Sequence, residues 1–306
     1  MDQRKKQNLR KITENIIGLP TLPTTVTKII SLVDNPKTSL ADIARVISTD
    51  QALTAKILKL ANSAFFGFRR RISTVNLAVV VLGFETVKSI GLSVSVFEKF
   101  SKGVDSIYFD RQKFWEHSIG VAVTARLLAA KLHYRVKAEA FSAGILHDIG
   151  KLVMSQYFPN DFLRILEMAH EKNLQIRVAE ERVMGVTHSE IGGWLAEKWN
   201  LPQQLVEVIA FHHDPIRASD QHRGLASLIH VANAICRHEK IGASGDTQGP
   251  DLKEEALDLL GVSLYGDVFL EDELFEMGKE LHEELEKADV FASIIKGEPV
   301  REVTED

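Results

Sequence analysis

Apolar residues recur every three or four positions along most of this chain. In the segment Thr24 to Val33, for example, Val26, Ile29 and Ile30 fall on one face of a helix. Such spacing is typical of amphipathic helices, whereas a half-buried strand alternates apolar and polar residues. No segment alternates convincingly, so the sequence predicts an all-α fold.

A polar break over residues 101–110 divides this helical pattern into two parts. After an N-terminal segment, residues 1–15, we expect a lobe of short helices over residues 16–100. A second lobe should begin at residue 111 and extend to about residue 237, with helices that are longer and more apolar on all sides. One of them is predicted from Ala138 to Val153.

Local signals mark several helix ends. Ser39 with Asp42, and Thr187 with Glu190, resemble capping boxes, in which two side chains bond the free backbone groups of a first turn. Gly242 to Pro250 is rich in glycine and polar residues, which predicts a flexible linker. Beyond it, within a C-terminal extension over residues 216–306, the sequence predicts a tail with helices at Leu252–Leu260 and Glu273–Ala288.

The composition limits the class of protein. Apolar residues make up 45% and charged residues 26%, as in ordinary globular proteins, and the net charge of −5 gives no overall attraction to nucleic acid or anionic membrane. Cys236 is the only cysteine, which fits a reducing compartment. Met1 to Lys11 is polar and no apolar core follows it, so we predict no signal peptide, no membrane partner and a cytoplasmic location.

The dipeptide His147-Asp148 is the sharpest chemical signal. It follows the nearly continuous apolar segment Ala138 to Leu146, so we expect it on a buried helix. A buried carboxylate without a partner is destabilising. A metal cation would satisfy both side chains, since imidazole and carboxylate are good ligands for Fe, Mn or Zn. A His–Asp hydrogen bond inside a helical core is the alternative.

Further histidines stand in apolar helical surroundings. They are His117, His188 and the pair His212-His213. Each taken singly is better explained as a core or capping histidine with a satisfied hydrogen bond. Together with His147-Asp148 they favour a metal site, and His230 is ambiguous.

The order His117, His147-Asp148, Lys151, His188, His212-His213 resembles the framework of the HD superfamily of metal-dependent phosphohydrolases, particularly its HD-GYP branch. The resemblance implies that His117, His147 and Asp148 bind one metal. It also implies that Asp148 bridges to a second metal held by His188 and His212, with His213 adjacent. Lys151 resembles the lysine that contacts a substrate phosphate. If the protein is active, Lys151 and Asp148 are the expected catalytic residues.

The first half of the chain resembles a narrower family. The segments Leu19 to Pro23, Ile47 to Ala64 and Ile72 to Ala78, followed by Leu82-Gly83, are similar to the signature of the HDOD domain family. That resemblance covers residues 16–215, with a short-helix lobe at 16–100 and an HD lobe at 111–215. It implies a bacterial signalling or regulatory protein.

Three positions depart from the enzymes of the superfamily. Asn233 stands where the last metal-binding aspartate is expected, and it contributes an amide oxygen without charge. The segment Ile216 to Asp220 replaces the Gly-Tyr-Pro tripeptide of the HD-GYP enzymes. Lys113 stands where some enzymes have a glutamate for a third metal, and its charge would repel a cation.

These features leave three hypotheses. The first is a sensory or protein-interaction module with a retained metal centre and other signalling proteins as partners. The second is a metal-dependent phosphohydrolase acting on a phosphodiester or nucleotide. The third is a helical adaptor without metal, in which the polar side chains satisfy one another. We favour the first, with one or two divalent ions, Fe or Mn before Zn or Ni. A nucleotide or phosphate ligand in the HD pocket is compatible with it.

Overall fold

The computed structural model of the protein describes residues 21–33, 35–68, 70–100, 105–134, 136–246, 248–249, 251–261, 280–288 and 293. Within these ranges the chain forms helices joined by turns, with one isolated bridge between Ser106 and Phe109 and no β-strand. The all-α prediction is therefore confirmed. The predicted N-terminal segment, residues 1–15, lies outside the described residues.

The first of two compact units comprises the described residues between 22 and 100 and between 280 and 293. Ser39 and Asp42 form the predicted capping box, and Thr74 caps the helix that begins at Val75. The core contains fully buried Ile29, Ile43, Ile57 and Leu60 side chains. The helices are α1 (Thr24–Val33), α2 (Leu40–Ser48), α3 (Gln51–Ala61), α4 (Val75–Leu82) and α5 (Phe84–Phe100). Residues 280–288 are also helical.

The second unit comprises residue 21 and the described residues between 105 and 261. Its longest described helix buries residues on several faces. The helices are α6 (Arg111–Lys131), α7 (Lys137–Leu146), α8 (Ile149–Tyr157), α9 (Pro159–Glu171), α10 (Ile176–Val183), α11 (His188–Lys198), α12 (Gln203–Phe211), α13 (Arg223–His238) and α14 (Glu254–Leu260), with a 3-10 turn at Pro215–Arg217.

One predicted helix is in fact two. The segment expected to be continuous from Ala138 to Val153 breaks at His147-Asp148, between α7 and α8. Close packing accompanies the break, because a Cβ on Gly150 would lie 1.8 Å from the carbonyl oxygen of His188. The prediction that the dipeptide lies within a helix is therefore wrong, and the pair lies at a corner.

The glycine-rich segment after α13 is also not the free linker that its composition suggests. Ala243 donates its N–H to the carbonyl oxygen of Lys113 at 2.9 Å, and Gln248 donates to the carbonyl oxygen of Asn173 at 2.8 Å. Ser244 is buried. Gly242, at φ +59°, approaches α6 so closely that a Cβ would lie 2.3 Å from the nitrogen of His117. The segment is thus held against its own unit.

In the tail, α14 packs against α13 and buries Ala256, Leu257 and Leu260. The predicted helix Glu273–Ala288 is described only over residues 280–288, and its first part lies outside the described residues. In the described parts of the chain no single helix has the length and hydropathy of a membrane span. The bent pair α4 and α5 meets that criterion by length and composition only.

Candidate metal centre

Six of the histidine and aspartate side chains singled out in the sequence meet in the second unit. Two overlapping groups have ligand atoms within 4.8 Å of one another, and they share Asp148. His213 is half-buried, whereas the other five side chains are no more than 1% exposed. One group contains Asp148, His188, His212 and His213, and the other contains His117, His147 and Asp148.

Each side chain comes from a helix or a helix end. His117 lies on α6 and the dipeptide His147-Asp148 at the corner between α7 and α8. His188 is the first residue of α11, behind the capping box formed by Thr187, and His212 immediately follows α12. Asn233, on α13, lies with its Oδ1 atom 3.0 Å from Nε2 of His117. The sequence-predicted set is therefore brought together.

Four imidazole rings are oriented by their Nδ1 atoms. His147 and His212 donate from Nδ1 to the carbonyl oxygens of Gly144 and Ile209, at 2.7 and 3.0 Å. Nδ1 of His117 faces the carbonyl oxygen of Ile241 at 3.2 Å, and that of His188 faces the Glu180 carboxylate at 2.8 Å. Because these acceptors hold the Nδ1 proton, the Nε2 atom of each ring faces the centre, and in a neutral ring it offers its lone pair there, as metal-ligating histidines require.

The distances within the cluster fit ligands around a cation. Oδ1 of Asp148 lies 3.0 Å from Nε2 of His188 and 3.5 Å from Nε2 of His212, and Oδ2 lies 3.4 Å from Nε2 of His147. Two ligand atoms about 2.1 Å from one cation, at right angles, are about 3.0 Å apart. Close approach of lone pairs is repulsive unless a cation or a proton lies between them.

Three of these atoms lack any hydrogen-bond partner in the structure. They are Nε2 of His147, Nε2 of His212 and Oδ1 of Asp148. Buried polar atoms without partners are rare in folded proteins, and here all three point into one cluster. The residues present therefore fit a metal, and histidine nitrogens with carboxylate oxygen form a donor set suited to Fe, Mn, Zn or Ni.

The electrostatics keep His117, His212 and Asp148 in their ligating forms. Burial, with smaller effects of neighbouring charges, lowers the pKa of His117 to about 4 and that of His212 to about 3, so both rings are neutral near pH 7. Burial opposes ionisation of Asp148, but Lys151 and His147 outweigh it and hold the pKa of that carboxyl well below its usual range. Burial would lower the pKa of His188, but the Glu180 carboxylate raises it to about 9, so this ring is protonated near pH 7 and would have to lose its Nε2 proton to ligate a metal.

Glu180 is a member of the site that the sequence analysis missed. Its fully buried carboxylate accepts from the backbone N–H of His188 at 2.9 Å as well as from Nδ1. The sequence does contain a signal for this residue. Glu180 lies four residues after Ile176 and next to Ala179, so a helix places it on the same face as these apolar residues, and that face of α10 is buried. An acid on an apolar face indicates a buried partner.

His230, whose role the sequence leaves ambiguous, stabilises the backbone of the pair His212-His213. Its Nδ1 atom donates to the carbonyl oxygen of His212 at 2.8 Å, and its Nε2 atom accepts from the backbone N–H of Lys253 at 3.0 Å. Both ring nitrogens are therefore occupied, and His230 fixes the backbone that carries His212 rather than facing the cluster.

Lys151 is buried beside the cluster. Its Nζ atom lies 2.8 Å from Oδ2 of Asp148, 3.2 Å from Oγ of Ser244 and 3.4 Å from Oδ2 of Asp246. Ser244 and Asp246 were not expected here, because nothing in a glycine-rich segment indicates where it folds. Lys113, by contrast, has an exposed side chain.

The model of the HDOD domain family matches residues 19–215. The chain belongs to the HDOD family. Its fold agrees, since an HDOD domain protein of unknown function from Geobacter sulfurreducens superposes with a TM-score of 0.75 at 24% identity, over 92% of this chain and 99% of that one. A Shewanella amazonensis protein provisionally described as a phosphohydrolase superposes with a TM-score of 0.68 at 25% identity, over 92% and 97%.

Curated relatives of this HDOD protein are longer. An uncharacterized protein of Treponema pallidum is 30% identical over 74% of this chain and 44% of its own length. Ribonuclease Y of Thermus thermophilus is 31% identical over 51% of this chain and 22% of its own length. The chain thus spans less than half the length of these relatives.

Proposed function

We propose that this HDOD protein is a signalling module whose histidine–aspartate cluster holds one or two divalent transition-metal ions as a structural or sensory centre. The observation that carries the proposal is the set of three buried, unpartnered ligand atoms around Asp148. A helical adaptor without metal would leave these atoms unsatisfied, and that is destabilising in a buried site.

Each residue of the cluster would have its own role in holding a cation. His147, His188 and His212 would ligate through Nε2, Asp148 would supply the charge shared by both groups, and His117, His213 and Asn233 would complete the sets. Glu180 would orient His188 and increase its basicity, as carboxylates behind metal-binding histidines do. When bound, Fe or Mn would act as a Lewis acid and acidify a water molecule.

The burial and the contacts of Lys151 favour signalling over catalysis. Its ammonium group is 1% exposed and is engaged by Asp148, Ser244 and Asp246 of the same chain. The residues after His213 also lack the Gly-Tyr-Pro tripeptide. Other signalling proteins are the proposed partners. The lone, buried Cys236 supports a reducing, cytoplasmic location.

A second candidate is metal-dependent hydrolysis of a phosphodiester or nucleotide. It is favoured by the position of Lys151 beside Asp148, and by similarity to ribonuclease Y and to the Shewanella protein. In such an enzyme Asp148 would hold the metal pair and Lys151 would bind the phosphate. Because one fold can host many functions, this similarity alone does not establish activity.

A measurement of substrate turnover distinguishes the signalling module from the phosphohydrolase. We expect the wild-type protein, supplied with Mn or Fe, to release no more product from cyclic-di-GMP or bis(p-nitrophenyl) phosphate than the Asp148→Ala variant does. The reason is that Lys151 stays paired with Asp148 and that the residues after His213 lack the Gly-Tyr-Pro tripeptide. Product formation followed by chromatography is the measurement. Robust hydrolysis that the Asp148 substitution abolishes would make the protein a phosphohydrolase.

A further inference from the structure

Residues 241–246, here named the strap, cross the second unit beside the metal centre. The strap begins at the carbonyl oxygen of Ile241, which faces Nδ1 of His117 at 3.2 Å, and Ala243 donates to the carbonyl oxygen of Lys113. It ends at Asp246, whose side chain is 7% exposed. The strap therefore carries a carboxylate into a buried region.

The Asp246 carboxylate occupies a cluster of donors. Its Oδ2 atom lies 3.4 Å from Nζ of Lys151, and its Oδ1 atom accepts from the backbone N–H of Ile176 at 3.2 Å. The guanidinium of Arg237 lies 3.7 Å from Oδ1. Ile176 begins α10, so its N–H points out of a helix N-terminus. Lysine, arginine and the N–H groups of a helix N-terminus are the groups that bind oxyanions in proteins.

Asp246 is not needed to neutralise Lys151. Asp148 already pairs with the same ammonium at 2.8 Å and is itself buried. The negative charge of Asp148 opposes ionisation of Asp246, which stays ionised because Lys151 and Arg237 outweigh burial and hold its pKa below the usual range. Two buried carboxylates thus share one lysine, and the outer one belongs to the strap.

A cavity of about 350 Å³ lies beside this carboxylate. His117, Arg237, Ser244 and Asp246 are among its lining residues. Cavities that bind small ligands begin at about 300 Å³. A ligand there would have its body next to the strap and an anionic group within reach of the donors that now bind Asp246.

We propose that the donors around Asp246 form a binding site for the phosphate group of a small phosphorylated ligand, and that Asp246 is an internal competitor which such a ligand displaces together with the strap. This inference rests on the proposed function, since it supplies the class of signal that the module would sense. Displacement of the strap would also break the contact between Ile241 and His117. The phosphate site would in this way be coupled to the metal centre.

The test is binding of inorganic phosphate to the full chain by titration calorimetry, on metal-free and metal-loaded protein. Asp246→Asn keeps the shape of the side chain and removes the competing charge, and Lys151 stays paired with Asp148. We expect phosphate to bind the variant about tenfold more tightly than the wild type, since losing one charge-assisted contact is worth at least that ratio. The control is Asp251→Asn, which removes a partly exposed carboxylate 3.4 Å from Arg177 and should leave the affinity unchanged.

A second measurement needs no variant. In wild-type protein, saturating phosphate should accelerate hydrogen exchange of the Ala243 amide, while chloride at equal ionic strength should not. Equal phosphate affinity of wild type and Asp246→Asn, or unchanged exchange in the strap, would overturn the inference. An affinity gain that needs added metal would also overturn it, because the phosphate would then be bound to the metal. A gain in protein that retains no metal in any preparation would support the phosphate site and refute only the metal centre.

Discussion

Replacing Asp148 by alanine is expected to lower the free energy of unfolding of the metal-free protein by roughly 3–5 kcal/mol and to abolish metal binding. The carboxylate is 1% exposed and lies 2.8 Å from Nζ of Lys151. Its loss leaves the lysine with the more distant carboxylate of Asp246, at 3.4 Å, and the uncharged hydroxyl of Ser244. Urea unfolding followed by circular dichroism gives the stability, and chelator competition gives the metal affinity.

The matched control for that variant is Asp251→Ala, which breaks a partly exposed ion pair with Arg177. Such pairs contribute up to about 1 kcal/mol, so a small change is expected. The double variant Asp148→Ala with Lys151→Met should be less destabilised than the sum of the single changes, because the buried ammonium that has lost its closer carboxylate is gone. A loss below about 1 kcal/mol in Asp148→Ala would contradict the buried ion pair.

The second large effect is expected from Gly150→Ala. A Cβ at this position would lie 1.8 Å from the carbonyl oxygen of His188 and 2.9 Å from the nitrogen of Gly192, and both are backbone atoms that cannot rotate away. Helix α8 must therefore move from α11, which also displaces His188 from Asp148. We expect a loss of about 3 kcal/mol or more, at the upper end for overpacked cores, together with weaker metal binding.

Gly249→Ala serves as the control, because nothing lies within 4 Å of a Cβ built there. It should unfold at nearly the wild-type denaturant concentration. If Gly150→Ala kept wild-type stability and metal affinity, the close approach of α8 and α11 would not be the contact that positions His188.

The sequence predicts the parts of the fold that depend on neighbours along the chain. The capping boxes at Ser39 and Thr187 and the bounds of α1 follow from local rules, since the atoms that bond are three or four residues apart. The break at His147-Asp148 does not, because it accompanies the approach of Gly150 to α11, about forty residues away along the chain. An apolar pattern cannot distinguish one long helix from two that meet at a buried corner.

The candidate site likewise has features that the sequence predicts and features that it does not. His117 and His188 could be identified because a polar residue in apolar surroundings is unusual. The orientation of their lone pairs could not, since it depends on acceptors such as the carbonyl oxygen of Ile241, 124 residues away from His117. Asp246 was missed for a related reason: its partners Lys151 and Ile176 are remote in sequence, and glycine-rich composition favours a linker whether or not the segment is bound.

The most direct test of the metal centre is elemental analysis of the full chain purified without added metal, beside Asp148→Ala prepared in parallel. We expect one or two transition-metal ions per wild-type chain, Fe or Mn before Zn or Ni, and none in the variant. Removal of the metal from wild type by a chelator should lower its melting temperature, and readdition should restore it. Wild-type protein that retains no metal, and whose melting temperature does not respond to added Mn, Fe, Zn or Ni, would contradict the metal centre.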